Sequence, residues 1–510
     1  MPKISINEII DIQSSASASA SGTPIAILGT ATQGPVNSPT LINSYDAFIS
    51  IFGNTAPNES EYPYGYFAAK ECTFTGSPVL FTRIANAAVK ASYTESSAVV
   101  ELQANNEGTY ANGYSVTFSA VDSPNQVYKA VVANAAGKVV SSGTITAKKS
   151  EAISYTGDAP EGSIELGVVG GITISQKITV DESAHTYTPS DFSSVTTAAV
   201  TLSGGTNGAD FVGGGMMTVI ENVIKDLQDD TVYNYQVIAT PGICNIKEND
   251  IKVWQVLSDL CNGTHYTDLQ LDDTDSRVYI LDADPQTSDY TKIIEDLGIK
   301  EDALLQTAIF YPWYIGTVVN TTGTYTLPPS IAYLRGFANS QKSGYPCTPV
   351  AGPGYGSIIR IDGIEERLGR VLCEKISDMG VNPITYHRTL GYFIDGNYIY
   401  NPKATGRTYK QLSIRQTVNY IKQRLNELCY SLSYGLNIPI IRTQFQGQAV
   451  ALLDKLKVAN YIYGYSVALS NNQAELAEGR ISATVKIFPT SALEEFVINL
   501  QIVNSTESLD

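Results

Sequence analysis

GTPIAILGTATQGPVNSPTLINSYDAFISIFG, residues Gly22 to Gly53, holds three kinds of element in one line. PIAILG is a short apolar run closed by a glycine, the pattern of a buried strand. GPVNSP is a turn-rich loop. NSYDAFISIFG reads as a helix, with Ser44 as its N-cap and Gly53 as its stop. SPVLFTRI (Ser77–Ile84) then returns to a buried strand. Strand alternating with helix predicts an α/β domain over residues 24–90.

Beyond residue 200 the same character resumes. YNYQVIATPG (Tyr233–Gly242), SRVYILDADP (Ser276–Pro285) and TAIFYPWYIG (Thr307–Gly316) are apolar runs ending in turn residues, as strands buried on both faces do. DIKVWQVLSDLCNG and YTKIIEDLG fit the helices between them. A parallel sheet with helices on both faces is expected over 24–90 and 201–360.

Residues 91–200 interrupt it. They contain no Cys, Trp or Met and show short alternating runs: YSVTFSAV, VYKAVVANA, GKVVSSGTITA and GITISQKITV. Turns fall at the spacing of an all-β unit. This predicts a β-sandwich inserted at the surface, where an insertion is best tolerated.

The chain changes again over 361–510. GIEERLGRVLCEKISDMG reads as an amphipathic helix closed by Gly380. A longer helix is expected from about Arg407 to Tyr434, with Ile414, Val418, Ile421, Leu425, Leu428 and Leu432 forming one apolar stripe. RISATVKIF and EFVINLQIV follow as strands; in the last, Phe496, Ile498, Leu500 and Ile502 share a face. At the other terminus Ile4 and Ile6 alternate with Ser5 and Asn7, a half-buried strand. SSASASASG (Ser14–Gly22) has nothing to bury and reads as a flexible tether, so residues 1–23 form either an arm that reaches another surface or a frayed terminus.

The 510 residues correspond to about three domains at a typical ~150 residues each. Lys and Arg total 33 against 50 Asp and Glu, a net charge of −17, which argues against the surface as a whole binding nucleic acid or an anionic membrane. Hydrophobic content of 43% excludes global disorder. No apolar run approaches the ~18 residues of a spanning helix, so no membrane insertion is expected. MPKISINEII lacks a basic-then-apolar leader layout, which points to synthesis in a cytoplasm. Cys72, Cys244, Cys261, Cys347, Cys373 and Cys429 lie too far apart for a CxxC site and are expected reduced and buried.

Candidate chemistry is thin. Asp282-Ala283-Asp284 is a DxD at a predicted strand end, where a divalent metal can bind two carboxylates. Pro285 follows at once and no third ligand stands nearby, so capping the next element is the competing role. Gly352, Gly354 and Gly356, like Gly213, Gly214 and Gly215, lack the Lys-Ser/Thr of a phosphate loop. His185, His265 and His387 stand far apart, and no GxSxG elbow occurs. A metal-dependent hydrolase using Asp282 and Asp284 is the alternative reading; an adhesin built on the β insertion is a third. No cofactor is implied.

The strongest anomaly is electrostatic. Across 401–470, Lys403, Arg407, Lys410, Arg415, Lys422, Arg424, Arg442, Lys455 and Lys457 are opposed by Glu427 and Asp454 alone, so the segment is 9 − 2 = +7. A solvated helix face is the ordinary reading. A +7 segment in a −17 chain also suits an acidic partner held at one face.

Taken in order, these motifs resemble the contractile tail sheath proteins of bacteriophages and related injection machines. The likeness is carried by Gly22–Gly53, by ANNEGTYANGYSVTF (Ala104–Phe118) and LSGGTNG (Leu202–Gly208) at the two ends of the insertion, and by VIATPG and FYPWYIG. PPSIAYLRGFANSQKSGYPCTPVAG (Pro328–Gly352) and VKIFPTSALEEFVINLQIV (Val485–Val503) complete it. Sheath proteins often open on PG-V-x-V-x-E, whereas this chain has Pro2-Lys3-Ile4-Ser5-Ile6-Asn7-Glu8.

The resemblance implies a multidomain α/β and β fold: a subtilisin-like α/β middle domain, an outward β-sandwich, and an inner α+β C-terminal domain over 361–510. It implies a non-enzymatic subunit of a helical homopolymer of stacked rings in a virion tail. The tail tube, baseplate and tail terminator proteins would be its partners, with no direct contact to nucleic acid. It further implies arms that add strands to neighbouring subunits, through Ile4 and Ile6 at one end and Phe496, Ile498, Leu500 and Ile502 at the other. The C-terminal domain would line the inside, setting Lys403, Arg407, Lys410, Arg415, Lys422, Arg424, Lys455 and Lys457 toward the tube.

Overall fold

A computed structural model describes residues 22–93, 99–160, 162–195, 199–208, 215–229, 232–248, 250–262, 277–287, 289–300, 304–343, 345–432, 438–470 and 482–493, with backbone alone at 248, 343 and 407. Ile4, Ile6, Phe496, Ile498, Leu500 and Ile502 lie outside the described residues.

PIAILG forms the strand Ile25–Gly29 at the middle of an eight-stranded sheet. The spatial order is Thr40–Ile42, Val79–Arg83, Ile25–Gly29, Val237–Ala239, Val278–Asp282, Thr307–Tyr311, Val381–His387, Gly391–Ile394. Inner neighbours pair in parallel, and the two outermost strands are antiparallel to theirs. Side chains alternate across a pleat. Ile25, Ile27, Phe81, Val237, Ile280 and Phe310 therefore face one apolar core, and Ala26, Leu28, Leu80, Ile238, Leu281 and Ile309 the other.

Helices α1 (Tyr45–Phe52), α2 (Tyr64–Phe74) and α6 (Pro329–Ser340) close the first core. Helices α3 (Met216–Leu227), α4 (Val253–Asn262), α5 (Ile293–Leu297) and α7 (Arg370–Asp378) close the second. The Ser44 hydroxyl accepts from the Ala47 amide and Gly53 ends α1 at φ 82°, as the sequence predicts. Helix α2 crosses the central strand so closely that a Cβ on Gly65 would stand 2.6 Å from the Gly29 Cα.

The sheet crosses the division expected at residue 360. Val381–His387 lies parallel to Thr307–Tyr311, and Gly391–Ile394 folds back on it. Helix α7 supplies the crossover that a parallel strand requires. GIEERLG is not helical: Ile361–Ile364 pairs with Tyr314–Thr317, and α7 begins only at Arg370.

Between Lys90 and Thr201 the chain forms two antiparallel sheets. One contains Val100–Glu107 and Ile172–Asp181, the other Ser115–Asp122, Val127–Ala133 and Val139–Thr146. Leu102, Ala104, Ile172 and Ile174 from the first meet Val116, Phe118, Ala130 and Val132 from the second in a core of their own. This is the arrangement of a β-sandwich.

The remaining unit is built from α8 (Leu412–Leu432), α9 (Pro439–Val458) and the hairpin strands Ile462–Leu469 and Ala483–Pro489. Five cysteines are buried, but Cys429 is exposed on the second half of α8. Among the described residues, no helix is long and apolar enough to cross a membrane.

Candidate functional site

The DxD comes first, since it sits at the carboxyl end of a parallel strand, where α/β enzymes bind ligands. Asp282 is 1% exposed. Its Oδ1 accepts the Ser330 amide at 2.7 Å; its Oδ2 accepts the Ser330 hydroxyl at 2.8 Å and the Gly242 amide at 3.3 Å. Burial pushes its pKa up to about 7, while those donors draw it back. All three contacts tie one carboxylate to the start of α6 and to the loop after Val237–Ala239. Asp284 instead accepts the Gln286 amide at 2.9 Å, in its own turn. Asp282 is thus an internal tie, and the pair does not converge on a common point.

The other enzyme candidates scatter likewise. The Gly352 amide donates to the Ile394 carbonyl, stitching that glycine loop to the sheet rather than leaving it as a phosphate cradle. Gly215 caps α3 at φ 71°, while Gly213 and Gly214 lie outside the described residues. His185 stacks on Tyr155, and His387 Nδ1 accepts the exposed Thr389 amide. His265 is outside the description. Among the described residues, no group of three or more His, Cys, Asp or Glu is placed to hold a metal.

The C-terminal unit has a different character. The first half of α8 is buried nearly all round, through Ser413, Gln416, Thr417 and Asn419 as well as Leu412, Ile414 and Ile421. Polar residues can be buried here because they find hydrogen-bond partners, most of them outside the helix. Gln416 donates to the Tyr333 hydroxyl at 2.8 Å, Asn419 to Gln306 at 2.9 Å, and Asn397 to the Ser413 hydroxyl at 2.9 Å. The apolar stripe expected along the whole helix is buried at Ile414 and Ile421 and half-buried at Val418, Leu425, Leu428 and Leu432.

Beyond that seam the core is small. Ile421, Leu453, Leu456 and Ile462 are its buried members, ringed by half-buried Tyr345, Tyr420, Tyr461, Tyr465, Val467, Val485 and Ile487. Among the described residues the hairpin is a two-stranded sheet, with no further strand on either edge. Its outer face carries Tyr463 and Phe488, 61% and 65% exposed, with ring centroids 5.2 Å apart. Two buried glutamines hold the chain where description ends. Gln341 Oε1 accepts the Thr23 amide at 2.7 Å, and Gln411 Oε1 accepts the Ala492 amide at 2.9 Å. Sequence reasoning missed both, as it missed the polar seam; a run of buried amides carries no periodic signal.

The basic segment divides on inspection. Arg424 pairs with Glu427 at 2.7 Å and lies over the Tyr420 ring at 5.3 Å. Arg442, 8% exposed, donates to the Ser470 carbonyl at 3.1 Å. Lys410 and Arg415 are half-buried, and Lys403 and Lys422 are exposed. Lys455 and Lys457 are exposed in the last turn of α9, where the helix dipole favours cations. The Arg407 side chain is outside the description.

No protein-family model matches the sequence, and no curated protein matches it significantly. Solved structures do. The sheath tail protein of Desulfitobacterium hafniense superposes at TM-score 0.58 with 10% identity, over 95% of this chain and 96% of that one. This chain has the fold of a tail sheath protein. The sheath tail protein of Listeria innocua gives TM-score 0.56 and 12% identity over 94% and 96% of the two chains. The sheath of an extracellular contractile injection system in its contracted state gives 0.53 and 11% over 99% of both. At such identity the likeness is one of fold. The sheath fold here includes the C-terminal hairpin unit as well as the body and the sandwich, since nearly the whole chain superposes.

Proposed function

We propose that the chain is a structural subunit of a contractile tail sheath, polymerising as stacked rings around a tail tube and contracting to drive that tube through a cell envelope. The observation that carries this is the end-to-end likeness to sheath proteins, 94–99% of this chain at TM-scores above one half. By the same reading its place is the tail of a phage or phage-like particle, assembled in the host cytoplasm. Baseplate, terminator and tube proteins are its partners, and the α/β body corresponds to the subtilisin-like layer.

The assembly step follows from the hairpin. The hairpin gains its stability from the face it packs on α8 and α9, and its edges meet no further strand among the described residues. Edges that meet no further strand among the described residues and an exposed aromatic pair suit strand addition by a neighbouring copy, with backbone bonds giving strength and alternating side chains giving register. Ile4 and Ile6, and Phe496, Ile498, Leu500 and Ile502, are assigned to those added strands. A head-to-tail contact that does not close produces a helical tube. Lys455 and Lys457, with Lys403, Lys410 and Lys422, are assigned to the tube-facing side, Arg407, Arg415 and Arg424 completing the set. Contraction is then a fall between two packings of the same subunits.

Electron microscopy of the purified protein at rising concentration, with and without a tube template, tests the reading. Hollow helical tubes of uniform width are expected. Deleting residues 1–22 should leave a folded monomer that forms none. Tubes identical to the parent's from the deletion overturn the arm assignment; a full chain that stays monomeric in both conditions overturns the sheath reading.

A further inference from the structure

The β-sandwich joins the body through two chain crossings, and the contacts there exceed what a tether needs. Val89 and Thr206 exchange both backbone hydrogen bonds, at 3.1 and 3.0 Å, and Ser92 and Ser203 do the same at 2.9 and 3.0 Å. The crossings are therefore one short antiparallel ribbon rather than two loose strings.

Arg83 lies beneath that ribbon, the last residue of its body strand and 1% exposed. Its Nη1 donates to the Gly34 carbonyl on the body at 2.8 Å and to the Glu107 carbonyl on the sandwich at 2.7 Å. Nε and Nη2 are buried with no hydrogen-bond partner among the described residues. A buried, incompletely paired guanidinium is costly. Desolvation lowers its pKa to about 10 while Glu107, Tyr110 and Glu61 draw it up, so it stays charged at neutral pH. Next to it Gly108, at φ 127°, passes so near the body that a Cβ would overlap the Thr32 carbonyl.

A second bridge spans the same joint. Asn207 donates through Nδ2 to Glu61 on the body at 3.0 Å, and its Oδ1 accepts the Thr109 amide of the sandwich at 3.1 Å. Asn112 and Gly205 exchange two bonds of 2.8 Å beside it.

We infer that Arg83 and Asn207 are positioning residues that lock the β-sandwich to the α/β body at one fixed angle. The joint combines charge-assisted bonds from Arg83 Nη1 to both units with the Asn207 bridge between Glu61 and Thr109, and bonds to an ionised donor are the stronger kind. The sandwich then turns with the body as one piece. The joint stands at the carboxyl ends of Ile25–Gly29 and Val79–Arg83, where α/β enzymes place a ligand crevice, and leaves there a cavity of about 40 Å³ beside Thr30, Glu61, Ile84 and Asn207. The inference concerns the isolated chain and stands apart from the sheath reading.

The test uses nitroxides at Lys149→Cys on the sandwich and Lys292→Cys on the body, in a Cys429→Ser background, with distances read by double electron–electron resonance. One narrow distance distribution is expected for the parent. Arg83→Met and Asn207→Ala should each broaden it, and Arg83→Lys, which keeps the charge on a side chain of shorter reach, should lie between. Amide exchange at Val89 and Thr206 should speed up by about tenfold, the factor equivalent to about 1.4 kcal/mol. Exchange within Ile172–Asp181 and Val237–Ala239 should stay as in the parent, showing both units folded. If Arg83→Met does not fold, Asn207→Ala decides alone, since its site is half-exposed. A broad distribution in the parent, or parental width in the folded variants, overturns the proposal.

Discussion

The α/β body and the C-terminal unit answer the same problem, burying apolar surface, in opposite ways. The body sheet is covered on both faces, and residues such as Phe81, Val237 and Ile280 are shut from water by helices within the same chain. The hairpin unit buries a handful of aliphatic side chains, leaves its tyrosines half in water, and presents Tyr463 and Phe488 outward. A strand covered on both faces by its own chain needs no partner. A two-stranded sheet that packs one face on α8 and α9 and carries an exposed aromatic pair on the other still offers a surface to a partner, and this is the physical ground for proposing assembly at the C-terminal unit.

The largest effect should come from the body. Phe81 packs edge-on to Phe48 and Phe52, at 5.7 and 4.8 Å between centroids. Phe81→Ala should cost about 3–5 kcal/mol in urea unfolding. A loss below 1 kcal/mol would erase the contrast between the two regions.

A smaller, pH-dependent effect belongs to Asp282. Its folded pKa, about 7, lies above the unfolded value near 3.9, so over that interval the unfolded chain binds fewer protons than the folded one. Its contribution is fully present below about pH 4 and is lost as pH rises toward about pH 7. Asp282→Asn should flatten this part of a Tm-against-pH curve. A parental slope in the variant would mean that another group titrates there.

The smallest effect on the monomer should come from the hairpin's outer face. Tyr463→Ser with Phe488→Ser should change unfolding free energy by no more than about 0.5 kcal/mol, yet remove tube formation in electron micrographs. A large loss of monomer stability would show that the pair serves the subunit's own fold. Normal tubes would show that this face is not covered on assembly.

The sequence made local order legible. PIAILG and SPVLFTRI read as strands, Ser44 and Gly53 mark both ends of α1, and the switch to short alternating runs after residue 90 marks the β-sandwich. These signals are periodic or sit within a few residues of what they control. The candidate site was legible only as composition: a basic segment and strand-like termini, without partners.

What the sequence by itself determined, then, is the succession of strands and helices and the change of character along the chain. The tertiary structure alone decided what joins to what. It carried the body sheet on to Ile394. It made Asp282 a tie to Ser330, 48 positions away, rather than a metal ligand, and set Arg83 between Gly34 and Glu107 at the neck of the sandwich. Periodicity reports which face of an element is buried. Which polar group waits on that face depends on the path of distant chain, and no local pattern encodes it.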